Sequence, residues 1–284
     1  MSKIIDIHPH VIAADTERYP LAPLGGHQPD WARERSVRFE TLIAAMDEAG
    51  VLKAALVQAS TSYGHDNSYV ADAVAAHPER FTGVFSVDVG AIDAPERMRH
   101  WLGKRLTGLR VFIAGQTTAA KGAALDDPRS FPAWQAAGEA GIPVCVQLRA
   151  ASLSQLETVL GRFPHVRVIL DHMARPVIDD GPPYKAAASL FSLARRKNLY
   201  LKLTTHNVRE SRAGGATPES FFGSVVREFG ASRIAWGSNF PASEGTLAYL
   251  LAEARAALAF LSQDDQDRIF FRTAQSLYPA LAVH

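Results

Sequence analysis

The sequence predicts a closed (β/α)8 barrel, and two observations lead to that fold. Eight short apolar runs recur along the 284-residue chain, and each is followed by a segment whose apolar residues have helical spacing. Runs that are apolar at nearly every position are typical of parallel strands buried on both faces. Eight such units in a chain of this length are the content of one α/β barrel, so we expect a single domain over residues 1–284.

The elements can be assigned in order. The predicted strands cover residues 3–10, 54–58, 81–87, 108–113, 143–148, 166–170, 199–203 and 233–237. The predicted helices cover 36–50 with Ser36 as the N-cap, 66–77, a segment starting near 93, 131–140, 152–163, a segment ending at 197, 217–229, 244–261 and 263–273. An open doubly wound sheet is the alternative fold. The first βα turn lacks the glycine-rich phosphate-binding pattern and carries histidines instead, which favours the barrel.

Three connections between these elements have a distinct composition. Residues 11–35 form a long segment rich in glycine and proline, which predicts a functional lid or a disordered loop, and its Tyr19 and Trp31 favour packing. Residues 61–67 are predicted as a polar loop that holds His65, and a loop of Gly, Ala and Thr follows the fourth strand.

The composition narrows the class of protein. A net charge of +1 without a basic stripe argues against nucleic acid as a partner. No window of about 18 uninterrupted apolar residues appears, so we expect no membrane span. Cys145 is the sole cysteine and lies in an apolar run, which predicts a buried, inert thiol in a reducing, cytoplasmic compartment. The sequence leaves the oligomeric state open, and a homo-oligomer is possible.

Polar side chains gather where the predicted strands end. In a barrel these ends form one rim, which carries the active site. In chain order this rim would carry His8 and His10, Gln58 with Tyr63 and His65, Arg110, Gln147 with Arg149, Asp171 with His172, Lys202 with His206, and Ser238 with Asn239.

The histidines at this rim predict a site. His8 and His10 are two residues apart on the first strand, so both imidazoles can reach one cation or one substrate. His172 ends the sixth strand and would face them across the barrel mouth. Asp6 lies deeper on the first strand, where it would either orient an imidazole or form an ion pair with an interior Lys or Arg.

Three motifs resemble one branch of a known superfamily. Asp6–His10 has the pattern DxHxH, and residues 171–176 and 236–241 read DHMARP and WGSNFP. Together they resemble the amidohydrolase-related branch of the amidohydrolase superfamily, within its lactonase group. That group includes 2-pyrone-4,6-dicarboxylate lactonases, sugar lactonases and 4-sulfomuconolactone hydrolases. Residues 19–24 and 126–134 are most similar to the sulfomuconolactone hydrolases.

The resemblance implies a (β/α)8 barrel that hydrolyses a small anionic lactone. It implies a metal or substrate site formed by His8, His10 and His172, with Zn2+ as the expected metal and with His172 and Asn239 in catalytic positions. It also implies that Arg110 binds the acidic group of the substrate. We add the other basic side chains of the rim as candidate substrate-binding residues: His65, Arg149, Lys202 and His206.

Asn239 departs from the pattern, because this position of the superfamily normally holds an aspartate that ligates metal and acts as base. An amide cannot accept a proton near neutral pH. Either three imidazoles hold zinc, which activates the water itself, or the site is metal-free and another group, such as His65 or His206, is the base. Two further interpretations stay open: a metal-dependent decarboxylase of aromatic acids, and a non-catalytic barrel that binds a ligand.

Overall fold

The structure is a computed structural model that describes residues 3–113 and 124–283. Its eight strands are β1 Ile5–Asp6, β2 Lys53–Val57, β3 Phe81–Ser86, β4 Leu106–Phe112, β5 Val144–Gln147, β6 Val168–Leu170, β7 Leu199–Thr204 and β8 Ile234–Gly237. They form one sheet in which neighbours in sequence are neighbours in space, and each pair is parallel. Ile7 N donates to Trp236 O, which brings β8 back beside β1. The sequence-based prediction of a (β/α)8 barrel is confirmed.

Helices connect the strands and cover the outside of the barrel. They are α1 Asp30–Glu34, α2 Phe39–Ala49, α3 Ser60–Tyr63, α4 Ser68–Ala76, α5 Ala94–Gly103, α6 Phe131–Glu139, α7 Leu153–Arg162, α8 Ala188–Ser192, α9 Thr205–Glu210, α10 Pro218–Phe229, α11 Leu247–Ala257, α12 Gln263–Asp267 and α13 Thr273–Leu277. No helix in the described part of the chain is long and apolar enough to cross a membrane.

The apolar core has two parts. The larger cluster packs the helices against the outward-facing strand residues. A smaller cluster draws residues from six of the strands and adds Tyr278 and its neighbours near the C-terminus. Lys202 on β7 contacts Cys145 on β5 at 3.4 Å, although these strands are not neighbours, so this layer lies inside the barrel. Cys145 is a free, buried thiol, as its apolar surroundings in the sequence predict.

Several connections differ from the sequence-based prediction. Residues 60–63 form the short helix α3 at the start of the predicted polar loop. Residues 205–210 form α9, between the predicted strand 199–203 and the predicted helix 217–229. Helix α2 begins at Phe39, with Arg38 rather than Ser36 at its N-cap. The segment 11–35 contains α1. The predicted Gly/Ala/Thr loop after β4 lies largely outside the described residues.

Candidate active site

A small pocket opens at the carboxyl ends of the strands, with a volume of about 140 Å3. That is below the roughly 300–1,000 Å3 of pockets for drug-sized ligands, so a small molecule is the expected occupant. The described residues that line it are His10, Pro29, Trp31, Ala59, Thr61, Arg110, Phe112, Gln147, Arg149, His172, Arg175, His206, Asn239 and Ala242. Three of them are histidines, three are arginines and none is a carboxylate.

His10 is fixed by two contacts. Its Nδ1 lies 2.8 Å from Val57 O, and because a carbonyl only accepts, Nδ1 must carry the proton. Its ring stacks on Trp31 at 5.6 Å between centroids. Burial, and then the charge of Arg110, lower the pKa of His10 to about 3, so the ring is neutral at physiological pH. The unprotonated nitrogen of this imidazole is therefore Nε2.

His8 lies beneath the pocket and is fully buried. Its ring centroid is 4.9 Å from that of His10 and 4.9 Å from that of His172. Neither ring nitrogen has a hydrogen-bond partner among the described residues, and Nδ1 lies 3.8 Å from Asp171 Oδ1. Gly237 of β8 makes this position possible, because a Cβ there would lie 2.5 Å from the His8 Cβ. Burial, followed by the charge of Lys202, holds the pKa of His8 well below its ordinary value.

His172 opens an unusual stretch of backbone. The four residues from His172 to Arg175 all have positive φ angles, between 47° and 60°, and none is glycine. Left-handed helical backbone costs L-residues roughly 1–2 kcal/mol each, so this turn is retained against local strain. It places both His172 and Arg175 at the pocket. Burial holds the pKa of His172 well below its ordinary value.

Helix α9 lies beside this left-handed turn and contacts both of its ends. Asn207 Nδ2 donates to His172 O at 2.8 Å, and Arg175 pairs with Glu210. The same helix supplies His206, whose ring lies 5.2 Å from that of His172. Burial, and then the charges of Arg175 and Arg149, lower the pKa of His206 to about 4.

Asn239, like His172, has a positive φ, of 58°. Its Nδ2 lies 3.3 Å from His206 Nε2 and donates to Ser243 Oγ at 3.0 Å. A donated amide proton makes Nε2 the unprotonated nitrogen of the neutral His206 ring. Asn239 therefore contributes hydrogen-bond donors where a carboxylate would contribute charge.

The three pocket arginines differ in how far their charge is balanced. Arg110 is buried, and its Nε donates to Asp171 Oδ2 at 3.0 Å. Arg175 pairs with Glu210. Arg149 is exposed and has no ion-pair partner among the described residues. An anionic ligand would therefore find one unbalanced guanidinium at the rim and a second, shared one deeper in the pocket.

A buried charge network lies under the pocket floor and centres on Asp171. Lys202 Nζ is 2.8 Å from Asp171 Oδ1, and both side chains are inaccessible to solvent. Burial raises the pKa of Asp171, but the charges of Lys202 and Arg110 outweigh it and hold that pKa below its ordinary value. Lys202 Nζ also reaches Cys145 Sγ at 3.4 Å. Nothing in the sequence signals this role of Asp171 beyond its place beside His172.

Asp6 binds backbone rather than an imidazole ring. Its Oδ1 accepts from His8 N and from Ser238 N, both at 2.9 Å, so it ties β1 to the loop after β8. Its Oδ2 is buried without a hydrogen-bond partner in the described structure, and burial raises the pKa of this carboxyl. Neither expectation for Asp6, an oriented imidazole or an ion pair, describes these contacts.

Most of the predicted site residues come together, and two do not reach the pocket. His10, Arg110, Arg149, His172, His206 and Asn239 line the cavity, and His8 lies directly below it. His65 is not among the lining residues, and its Nδ1 contacts Ser86 Oγ at 3.0 Å. Lys202 is inaccessible to solvent and forms an ion pair with Asp171. Trp31 and Arg175 line the pocket without having been among the predicted site residues.

The donor chemistry at the floor suits zinc. Burial lowers the pKa of all three imidazoles of His8, His10 and His172, and neutral imidazoles are the form that binds metal. The two unpartnered ring nitrogens of His8 also fit a metal ligand, since buried polar groups normally have partners. As placed, however, no three His, Cys, Asp or Glu side chains in the described residues form a group that could hold a metal ion. The side chains thus supply the ligand types but not an assembled site.

Comparison with known proteins identifies a family and a curated relative that is similar to this chain over nearly its whole length. The family model for amidohydrolases matches residues 5–280, which is nearly the whole chain. L-fucono-1,5-lactonase from Burkholderia ambifaria is 26% identical over 295 residues, which cover 96% of this chain and 94% of that protein.

Solved structures share the fold at lower identity. A putative 2-pyrone-4,6-dicarboxylic acid hydrolase from Pseudomonas putida is 20% identical, with a TM-score of 0.79 and coverage of 100% of both chains. An amidohydrolase from Burkholderia multivorans with bound zinc is 18% identical, with a TM-score of 0.73 and coverage of 98% and 99%. A 2,6-dihydroxybenzoate decarboxylase from Rhizobium is 16% identical, with a TM-score of 0.72 and coverage of 98% and 99%. At these identities the likeness concerns the fold alone.

Proposed function

This chain belongs to the amidohydrolase family, and we propose that it is a hydrolase that opens a small anionic lactone by attack of water on the ester carbonyl. The muconolactone and sulfomuconolactone types are the proposed substrates. The observation that carries the proposal is the pocket lining, in which three neutral imidazoles face three guanidinium groups and no described carboxylate. The curated relative, an L-fucono-1,5-lactonase, supports lactone hydrolysis as the reaction class.

Arginines would bind the acidic group of the substrate. Charge-assisted hydrogen bonds from a guanidinium to a carboxylate or sulfonate are about twice as strong as neutral ones. Arg149 is the first candidate because its charge is unbalanced in the described structure, and Arg110 is the second because Asp171 already shares its charge. Together they would orient the lactone with its ester over the histidines.

His206 is the proposed base. It lines the pocket, its pKa of about 4 keeps it unprotonated near neutral pH, and Nε2 is its unprotonated nitrogen. The water oxygen would bond to the carbonyl carbon while a water proton moves to His206 Nε2, where it replaces the hydrogen bond from the Asn239 amide. The ring C–O bond then breaks, and the leaving oxygen takes the proton back, which yields the open hydroxy acid. His65 is the other candidate base, and its absence from the described pocket lining argues against it.

Zinc is proposed as the cofactor, with His8, His10 and His172 as the residues that would hold it. When bound, it would supply a Lewis acid for the ester carbonyl and for water. His10 Nε2 carries no proton, so it can bind a metal but cannot donate a hydrogen bond to the ester carbonyl of the substrate. This favours the zinc site over a metal-free site in which the histidines polarise that carbonyl. A metal-independent lactonase of the pyrone-dicarboxylate or sugar type is the alternative. Metal analysis of protein purified without added metal, followed by chelation, separates the two.

A panel of lactones tests the reaction. Muconolactone-type, pyrone and sugar lactones are each incubated with the protein, with and without Zn2+, and loss of the lactone is followed by NMR. We expect at least one anionic lactone to be opened and neutral sugar lactones to react more slowly. Failure with every lactone would contradict the proposal. Carbon dioxide release from dihydroxybenzoates would instead favour a decarboxylase, an activity that a solved structure with the same fold carries in its name.

A further inference from the structure

Thr204, at the carboxyl end of β7, contacts the imidazole of His172 inside the protein. Thr204 Oγ1 lies 2.8 Å from His172 Nδ1, and neither Thr204 nor Asn207 lines the pocket. Thr204 also begins α9, where it forms a capping box with Asn207: its hydroxyl accepts from Asn207 N, and the Asn207 side chain accepts from Thr204 N. Both residues are buried.

The Asn207 amide can adopt one orientation only. Its Nδ2 faces His172 O at 2.8 Å, where a donor is needed, and its Oδ1 faces Thr204 N at 3.1 Å, where an acceptor is needed. The amide oxygen also lies 3.4 Å from Thr204 Oγ1. Since that oxygen can only accept, it offers the Thr204 hydroxyl proton a partner other than His172 Nδ1.

With its proton directed at Asn207 Oδ1, the Thr204 hydroxyl can accept a hydrogen bond from His172 Nδ1. We propose that Thr204 and Asn207 are positioning residues that hold His172 as the tautomer protonated at Nδ1, with its lone pair on Nε2. Val57 O imposes the same tautomer on His10. Both of these pocket imidazoles thereby present unprotonated nitrogens, which suits a cation or the O–H of water and does not suit a carbonyl oxygen.

This pairing also accounts for the strained turn. The four left-handed residues from His172 to Arg175 begin with the residue whose carbonyl Asn207 binds and end with the residue that Glu210 binds. Helix α9 therefore fixes the backbone and the tautomer of His172 together. Thr205 Oγ1 donates to Ser238 O at 2.9 Å, which fastens the same helix to the loop that carries Asn239.

The tautomer is measured directly by long-range 1H–15N NMR of the full chain labelled with 15N-histidine. Spectra are recorded as purified and after chelator dialysis, with His172→Gln used to assign the signal. We expect wild-type His172 to be protonated at Nδ1. Thr204→Val keeps the side-chain shape but removes the acceptor, so it should give a mixture of tautomers, whereas Thr204→Ser should keep the wild-type pattern. The matched control is Thr82→Val, since Thr82 is equally buried and bonds only to Thr107 among the described side chains.

Two results would overturn the proposal: protonation of His172 at Nε2 in the wild-type spectrum, or an unchanged His172 signal in Thr204→Val. The wild-type spectrum needs no variant, so a Thr204→Val protein that fails to fold still leaves the proposal open to refutation. A kinetic test rests on the proposed function. With a lactone that the protein hydrolyses, Thr204→Val should lower kcat about 10–100-fold at constant KM. If no lactone is hydrolysed, the proposed function fails while the tautomer result stands.

Discussion

The two sides of the barrel mouth are built differently. On the side of β6, β7 and β8, His172, His206 and Asn239 all line the pocket, and helix α9 carries His206 and contacts the other two. On the side of β2 and β3, His65 contacts Ser86 and does not line the pocket, and the Gln58 amide donates to the backbone of Asp66. Both sides carry polar side chains at strand ends, but only one aims its imidazoles at the cavity.

This difference assigns separate tasks to the two sides. Strained backbone and buried hydrogen bonds accumulate where side chains must be held in one position, as at the left-handed turn that begins with His172. The β2–β3 side instead stabilises its own loop, where Asn67 bonds to Ser86 and to the carbonyl of His65. We therefore propose that the chemistry lies on β1 and β6–β8, and substitutions on the two sides should have unequal effects.

The largest effect is expected from His172→Gln. The substitution removes an imidazole that contacts His8, His206 and Thr204 while it retains a polar side chain of similar length. We expect kcat/KM for lactone hydrolysis to fall about 10²–10⁴-fold, because one of three proposed ligands of the ion that would polarise the ester carbonyl is lost, and that polarisation is worth several kcal/mol. Steady-state kinetics with the best lactone measures the fall. A smaller fall in kcat/KM than that of His65→Gln would contradict a greater role for the β6–β8 side of the mouth.

Asp171→Asn should cause the largest loss of stability. It leaves the buried charges of Lys202 and Arg110 without their carboxylate, which typically costs about 3–5 kcal/mol. Urea unfolding at neutral pH measures the change. Asp264→Asn is the control, since it removes a surface carboxylate with two arginine partners and should change little.

The pH dependence of stability follows from the same carboxylate. The pKa of Asp171 in the folded protein is below its ordinary value of about 3.9, so its contribution is present above that pH and is lost as the pH falls below it. Wild-type stability should therefore decline below pH of about 4 more steeply than that of the Asp171→Asn variant. Parallel curves for the two proteins would contradict this role of Asp171.

Asn239→Asp tests whether the amide belongs to a working site. A carboxylate beside His206 Nε2 would raise the pKa of His206 above about 4, so the base would be protonated at a higher pH. We expect the acid limb of the pH profile of kcat/KM, where activity falls as the base is protonated, to move to higher pH. Ser243→Ala is the control, since it removes the other partner of the Asn239 amide and should leave the pH dependence of kcat/KM unchanged. A large gain of activity in Asn239→Asp would instead indicate a barrel that has lost its catalytic carboxylate.

Arg149→Gln should act on binding alone. Arg149 is exposed and has no ion pair among the described residues, so its loss removes a charge-assisted contact to the substrate without disturbing the fold. We expect KM to rise about 10-fold while kcat and the unfolding midpoint stay close to wild type. Arg227→Gln, on the exposed face of α10, is the matched control. An unchanged KM would exclude Arg149 as a binding residue.

The smallest effect is expected from His65→Gln, the counterpart of the first substitution on the other side of the mouth. His65 contacts Ser86 and does not line the pocket, so kcat/KM should stay within about threefold of wild type, which is under 1 kcal/mol of transition-state stabilisation. A loss comparable to that of His172→Gln would mean that both sides of the mouth take part in the chemistry.

The sequence predicts the barrel well because each strand is a local apolar run that is buried on both faces. The eight predicted strands overlap the eight observed ones, and strand ends are enough to predict which residues share a rim. Helix α9 was not predicted, because its capping box is formed by Thr204 and Asn207. The asparagine stands where a capping box usually has glutamate or glutamine.

The fine structure of the site depends on contacts that form only when the barrel closes. Asp171 acquires its role from Lys202 on the next strand and from Arg110 across the barrel, and neither pairing is visible in sequence spacing. The left-handed turn from His172 to Arg175 contains no glycine that would signal it. The choice between His65 and His206 as base likewise depended on side-chain direction, which the sequence does not specify.

Hydrolysis in 18O-labelled water tests the central claim most directly. The best anionic lactone is incubated with the protein and, in parallel, with the His172→Gln variant, and the product is analysed by mass spectrometry. We predict that the wild-type product is the open acid with one 18O atom in the new carboxylate, formed far more slowly by the variant. A decarboxylated product, or equal rates for the two proteins, would contradict a lactonase whose chemistry lies on the β6–β8 side of the mouth.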